Sequence, residues 1–310
     1  METTVGVLLG LAAATAQSVS YILSRLYVIR RAGAFFHLLV LGHLIMGAMS
    51  VAALPWLPLD QLPPVGSVLW PLIGSGVFYL LGQAGMFIVL RHQEASRLSP
   101  LLGLKIPILA FITVMFLDKA GKGLTAWQWS AVAISVAAAL VLRTSGKRMP
   151  WTTIAGIVVT CVFYSLSDLH IRMLTDALGP HLGKTQAVLT GVALTYVLCG
   201  LIGLAAMPWA GRPHKGDWSF ALPWAASWLA AMVVLYGCFA TIGVIYGNIL
   251  QSTRGLISIV MGAAVAALGH LHLEPRTTRV DFIRRVAAAV MMIVAITMYS
   301  PEIMRRIWPH

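Results

Sequence analysis

Charge is what this sequence has least of. Asp and Glu number 10 and Lys and Arg 22 in 310 residues, so 10% of the chain is charged, against about 25% in an ordinary soluble domain. That scarcity excludes a water-facing surface over most of the molecule. Cysteine is also rare: Cys161, Cys199 and Cys238 lie far apart inside apolar stretches, which excludes a disulfide framework and a cysteine metal site. They read as small core residues. No Gly-x-x-x-x-Gly-Lys-Ser/Thr loop, His-Glu-x-x-His pair or Gly-x-Ser-x-Gly elbow occurs. A nucleotide-hydrolysing motor, zinc hydrolysis and elbow-serine catalysis therefore have no carrier.

Apolar sequence fills the space: 59% of residues are hydrophobic and the mean hydropathy is +0.84. Stretches of 18 or more apolar residues recur, each able to cross a hydrocarbon core of about 30 Å as a helix. The hydropathy pattern predicts ten spans, roughly at 3–24, 34–56, 68–90, 97–117, 124–142, 151–173, 184–208, 221–245, 251–271 and 282–300. The fold class expected is therefore all-α, a polytopic multi-pass membrane protein. The first span lacks a basic leader and a small-residue cleavage site, so it reads as retained. Connections are short and broken by Pro55, Pro58, Pro63, Pro64, Gly121, Gly123, Pro208 and Pro213. Trp56, Trp70, Trp127, Trp129, Trp151, Trp209, Trp218 and Trp308 fall near span ends, where an indole anchors at the headgroups.

The net charge of +12 comes from basic residues placed singly or in pairs between spans. That pattern orients helices in a bilayer and offers no face to nucleic acid. Loops on the odd-numbered side carry twice as many Lys and Arg as the other side, which places the termini outside.

The chain also repeats itself. An offset of 156 lays Ser96–Asp118 on Ser252–Glu274, and an offset of 147 lays Ser18, Ser20 and Arg25 on Ser165, Ser167 and Arg172. Five spans per copy is odd, so the second copy enters from the opposite side. Residues 1–146 and 147–310 are thus expected to be two inverted five-helix repeats.

With these residues in view, the sequence resembles the drug/metabolite transporter superfamily, specifically its EamA-type ten-span permeases built from two five-span repeats. The resemblance covers nearly the whole chain. Its carriers are the first spans of each half (AQSVSYILSRL and FYSLSDLHIRM), Pro107 with Asp118 eleven residues later, and Glu274. Ala263 replaces a proline common in the family, Asp118 replaces the usual Glu, a KAGKG stretch lengthens the following turn, and the family's first-span Trp-Gly pair is missing. The resemblance implies a transporter and leaves its substrate open.

Candidate site residues follow from the cost of polarity in lipid. Lys105 lies about eight residues, roughly 12 Å, inside the fourth span. A cation there costs about 2.5 kcal/mol or more and must face a partner or a wet cavity. Pro107 frees the Gly103 carbonyl beside it. A carboxylate-bearing substrate follows, and Lys105→Met is expected to abolish transport without loss of folded protein. Asp168, sharing a helix face with Tyr164, is an intramembrane carboxylate and thus a proton or coupling-ion candidate, or the partner of Lys105 or Arg172. His43 titrates near pH 6.5 when unperturbed and is a second proton candidate, although a neutral histidine bonded across helices is the plainer role. Gln17, Tyr21, Gln83, Tyr79, Asn248 and Gln251 supply uncharged groups for a substrate cavity or for helix contacts. His270, His272 and Glu274 do not converge at metal spacing, so neither metal nor cofactor is expected.

The function these readings favour is a secondary active transporter, an exporter of a small polar or amphipathic metabolite by alternating access, coupled to protons. It sits in a membrane expected to be a bacterial inner membrane and works as a monomer or homodimer among membrane lipids, with a small molecule as its partner. A lipid or lipid-linked flippase and an intramembrane enzyme are the alternatives.

Overall fold

Backbone that enters a hydrocarbon phase must satisfy its own hydrogen bonds, and a helix does so within one segment. The computed structural model describes residues 2–30, 35–93, 95–112, 125–144, 149–211, 215–270 and 278–299, and these contain helices and no strand. The first part of the chain forms α1 (Glu2–Arg30), α2 (Phe35–Ala53), α3 (Val65–Leu90), α4 (Ala95–Leu101), α5 (Lys105–Ile112) and α6 (Ala126–Thr144). The second forms α7 (Trp151–Leu182), α8 (Lys184–Ala210), α9 (Lys215–Ile242), α10 (Val244–Ser252), α11 (Arg254–Ala267) and α12 (Arg279–Tyr299).

Seven segments among the described residues are long and apolar enough to span a bilayer: Thr4–Tyr27, Phe35–Trp56, Val65–Leu90, Trp151–Leu182, Lys184–Ala210, Gly216–Ile242 and Leu250–Ala267. The chain is a multi-pass α-helical integral membrane protein. Three other expected spans take different forms. The fourth is interrupted, with α4 and α5 joined by a 3-10 turn at Leu102–Leu104. Pro107 accounts for the break, since it has no N–H to give Gly103 and the preceding turn tightens. The fifth and tenth become α6 and α12, helices of 19 and 21 residues. Asp118, His272, Glu274 and Trp308 lie outside the described residues.

Helix pairs build the bundle. α1 runs against α9, α3 against α7, α2 against α8, α6 against α12 and α4 against α11. Small residues permit the close approaches: a Cβ at Gly74, Gly82 or Gly85 of α3 would run into His170, Tyr164 or Thr160 of α7. α7 turns back into α8 through Gly183 alone, at φ +73°, where a side chain would be strained.

Tryptophan is divided by depth. Trp56, Trp70, Trp127, Trp129, Trp151, Trp209 and Trp218 are exposed at helix ends or loops, whereas Trp224 and Trp228 are buried. Those two pack with Tyr21, Tyr79, Phe87 and Tyr196 in an aromatic core.

Candidate functional site: a buried charged cavity

The polar residues of the spans converge. A cavity at the centre of the bundle is lined by Gln17 and Tyr21 of α1, Tyr79 of α3, Lys105 of α5, Tyr164, Ser167 and Asp168 of α7, Trp228, Met232 and Leu235 of α9, and Arg254 of α11. Its volume is about 20 Å³, room for a water molecule and little more.

Two charged clusters meet there. Lys105 Nζ lies 2.9 Å from Asp168 Oδ2, with both side chains buried, and Asn248 Nδ2 donates to the same oxygen at 2.8 Å. Lys105 is fixed at the backbone as well, because its carbonyl accepts from Ser165 Oγ at 2.8 Å. Tyr164 and Asp168 share the cavity face, as their spacing requires. Tyr164 O–H donates to Gln83 Oε1 at 2.5 Å.

Arg254 heads the second cluster. It is 4% exposed, donates from Nη1 to Gln17 Oε1 at 2.7 Å and lies over the Tyr21 ring, 5.7 Å from its centroid. No carboxylate among the described residues pairs with it. Among the described residues its Nε has no hydrogen-bond partner, nor does Gln83 Nε2 or Asn248 Oδ1, and the Tyr21 hydroxyl has the guanidinium as its polar neighbour. A guanidinium desolvated against a neutral amide and a ring face is under-compensated.

The sequence candidates sort by distance from this cavity. Lys105, Asp168, Gln17, Tyr21 and Tyr79 line it, and Gln83 and Asn248 bond directly to lining residues. His43 stands one layer behind. Its Nδ1 lies 2.5 Å from the Leu39 carbonyl and its Nε2 3.0 Å from the Tyr79 hydroxyl. A carbonyl only accepts, so Nδ1 carries the proton and a neutral ring accepts from Tyr79. Both nitrogens are satisfied within a box of Tyr79, Tyr196 and Trp224, which is the plainer role. Gln251 faces α1, with Nε2 3.5 Å from the Gly10 carbonyl. Arg172 pairs with Asp176 at 2.8 Å, so it is not the partner of Asp168. Among the described residues no group of three metal-capable side chains comes together.

Arg254 is a site residue that hydropathy did not single out. It opens α11 one residue after α10 ends, deep within a helical stretch that begins at Val244. The signal was the apolar run VIYGNIL ahead of it: a span begun there would have placed the arginine roughly 15 Å inside.

A second cavity, about 290 Å³, opens between α2, α3 and α8 and is lined almost wholly by apolar side chains, among them Phe36, Leu39, Leu80 and Ile202.

No family model and no curated protein sequence matches the chain. Solved structures do. A chain described as "Crystal structure of protein" is similar over 94% of this chain and 98% of its own, with a TM-score of 0.56 and 15% sequence identity. At that identity the likeness is one of fold.

Proposed function

We propose that this protein is a secondary active transporter that moves a small polar or amphipathic metabolite through the central cavity by alternating access, as an exporter coupled to protons. The carrying observation is the charged, water-sized cavity, lined by α1, α3 and α5 of the first half of the chain and by α7, α9 and α11 of the second. Buried charge in a membrane bundle is costly and is retained where it handles a solute or ion. A cavity of about 20 Å³ admits no metabolite, so loading requires the walls to separate.

We read ten spans in two inverted repeats, residues 1–146 and 147–310, and the pairing of helices is what favours the repeats. Exchanging the halves turns the α1–α9 pair into α7–α3 and leaves α2–α8 and α6–α12 as they are. The donors on α1 and α7 match at the 147 offset and reach corresponding helices of the other half, although the acceptors they meet there do not share that offset. Ser18 Oγ donates to the Arg254 carbonyl and Ser165 Oγ to that of Lys105. Ser20 meets Ser227 on α9, and Ser167 donates to the Ser75 carbonyl on α3. Arg25 donates to Leu90 and Gln93 at the end of α3, and Arg172 to Phe239 near the end of α9. Inverted halves give two nearly equivalent ways to open, one toward each side. This arrangement also supports the resemblance to EamA-type permeases.

The apolar groove between α2, α3 and α8 favours a second reading, a lipid flippase whose substrate keeps its chain in that groove.

Flux measurements in proteoliposomes test both. Reconstituted protein is expected to give saturable movement of small carboxylates, accelerated by an imposed pH gradient, and the Lys105→Met/Asp168→Asn double variant is expected to give none. Movement of labelled lipid with no solute flux would select the flippase. Liposomes with and without protein that leak alike would remove the transport reading.

A further inference from the structure

We infer that Arg254, aimed by the Gln17 amide and flanked by the Tyr21 hydroxyl, is the receptor for one negative charge of the substrate, so that the cavity selects organic monoanions with an apolar body. The inference rests on the transport reading and names its substrate class.

Lys105 and Asp168 neutralise each other at 2.9 Å, with Asn248 holding the carboxylate. Lys105 therefore has its anion already, and a substrate that takes Lys105 must first displace Asp168. Arg254 has none among the described residues. Two cations and one carboxylate line the cavity, which leaves one positive charge uncompensated. A monoanion cancels it. A dianion leaves a buried negative charge in turn, and a neutral solute leaves the guanidinium as it is, so both lose the match.

The free bonding groups stand beside that charge. Arg254 Nε makes no hydrogen bond among the described residues, and the Tyr21 hydroxyl stands next to the guanidinium without donating its own proton to any described group; the two residues are 4% and 1% exposed. A carboxylate has two oxygens to receive two donors, and a guanidinium meets it in a fixed fork. Around them Tyr21 and Trp228, 5.9 Å apart between ring centroids, together with Met232 and Leu235, form a wall that suits a flat apolar body. Arg254 Nη1 is held by Gln17 Oε1 at 2.7 Å, which aims the fork.

The test uses full-length protein in detergent and radiolabelled benzoate, benzamide and phthalate, which share a ring and carry one, no and two negative charges. Parent protein is expected to bind benzoate about ten- to a hundredfold more tightly than either of the others, the worth of one charge-assisted contact. Arg254→Gln should bring benzoate down to the level of benzamide, and Arg254→Lys should keep part of the preference. Tyr21→Phe, which retains the ring, should cost benzoate several-fold and leave benzamide unchanged, and it serves if Arg254→Gln does not fold. A parent that binds phthalate or benzamide as tightly as benzoate would overturn the inference. So would an Arg254→Gln protein that keeps the full preference. Solute flux that persists with either result leaves the transport reading standing, and Arg254-dependent benzoate binding without flux removes that reading alone.

Discussion

Lys105→Met is expected to lower stability by about 3–5 kcal/mol, because it strips a buried carboxylate of its counter-charge. Asp168 would keep only the Asn248 amide, in a site where both members of the pair are nearly inaccessible. Asp168→Asn should cost a similar amount by stranding the ammonium. The Lys105→Met/Asp168→Asn double variant removes both charges and should recover most of the loss, giving a coupling of several kcal/mol in a double-mutant cycle. Transport should be absent in all three. Equilibrium unfolding in mixed micelles measures the cycle, and additive single effects would mean that the pair carries no buried interaction. The sequence alone led to the expectation that Lys105→Met is harmless to folding. The 2.9 Å contact with Asp168 reverses that expectation, and it makes the double variant the clean test of function.

The second large effect is steric and lies far from any charge. α2 and α8 cross at Gly47 and Gly200, where a Cβ on Gly200 would stand 2.9 Å from the Gly47 Cα and 3.3 Å from the His43 carbonyl. Those atoms belong to backbone and cannot rotate aside, so Gly200→Val must push the helices apart. A loss of about 1–3 kcal/mol or more is expected from such overpacking. Gly191→Ala on the same helix is the control. Its new methyl would meet only the side chains of Tyr236 and Leu178, at 3.6–3.7 Å, and alanine favours the helix by about 0.5–1 kcal/mol, so the variant should match or exceed the parent. Thermal unfolding of both variants in one detergent separates the outcomes. Equal loss from both would show that the crossing tolerates a side chain.

Much of this architecture was legible in the sequence because lipid imposes a single strong rule: an apolar run of sufficient length is a helix. Thr4–Tyr27, Val65–Leu90 and Lys184–Ala210 fall where hydropathy placed them. The same rule says nothing of where a helix is interrupted, and at the fourth span Pro107 supplied that signal. Between Ala95 and Ile112 most residues are apolar, yet the helix breaks at Leu102–Leu104, where Pro107 has no N–H to give Gly103. Polar residues were legible as a set, since Lys105, Asp168, Gln17, Tyr21 and Tyr79 are costly in lipid and all line the cavity. Their pairing was not, because helices distant in sequence decide which of them meet. Nothing local in FYSLSDLHIRM separates Lys105 from Arg172 as the partner of Asp168, and only the α5–α7 contact settles it. Arg254 was not legible as a site residue for a different reason. Its polar neighbours Gln251, Ser252 and Thr253 resemble a loop, but Gln251 and Ser252 are buried.

The central claim is that the cavity opens in turn to each side of the membrane, and thiol accessibility tests it most directly. Ser167 is 2% exposed, lines the cavity and carries no charge. With Cys161, Cys199 and Cys238 replaced by alanine, Ser167→Cys should react with a membrane-impermeant maleimide applied to either face of oriented proteoliposomes. Reaction from one face only, or from neither, would contradict the account.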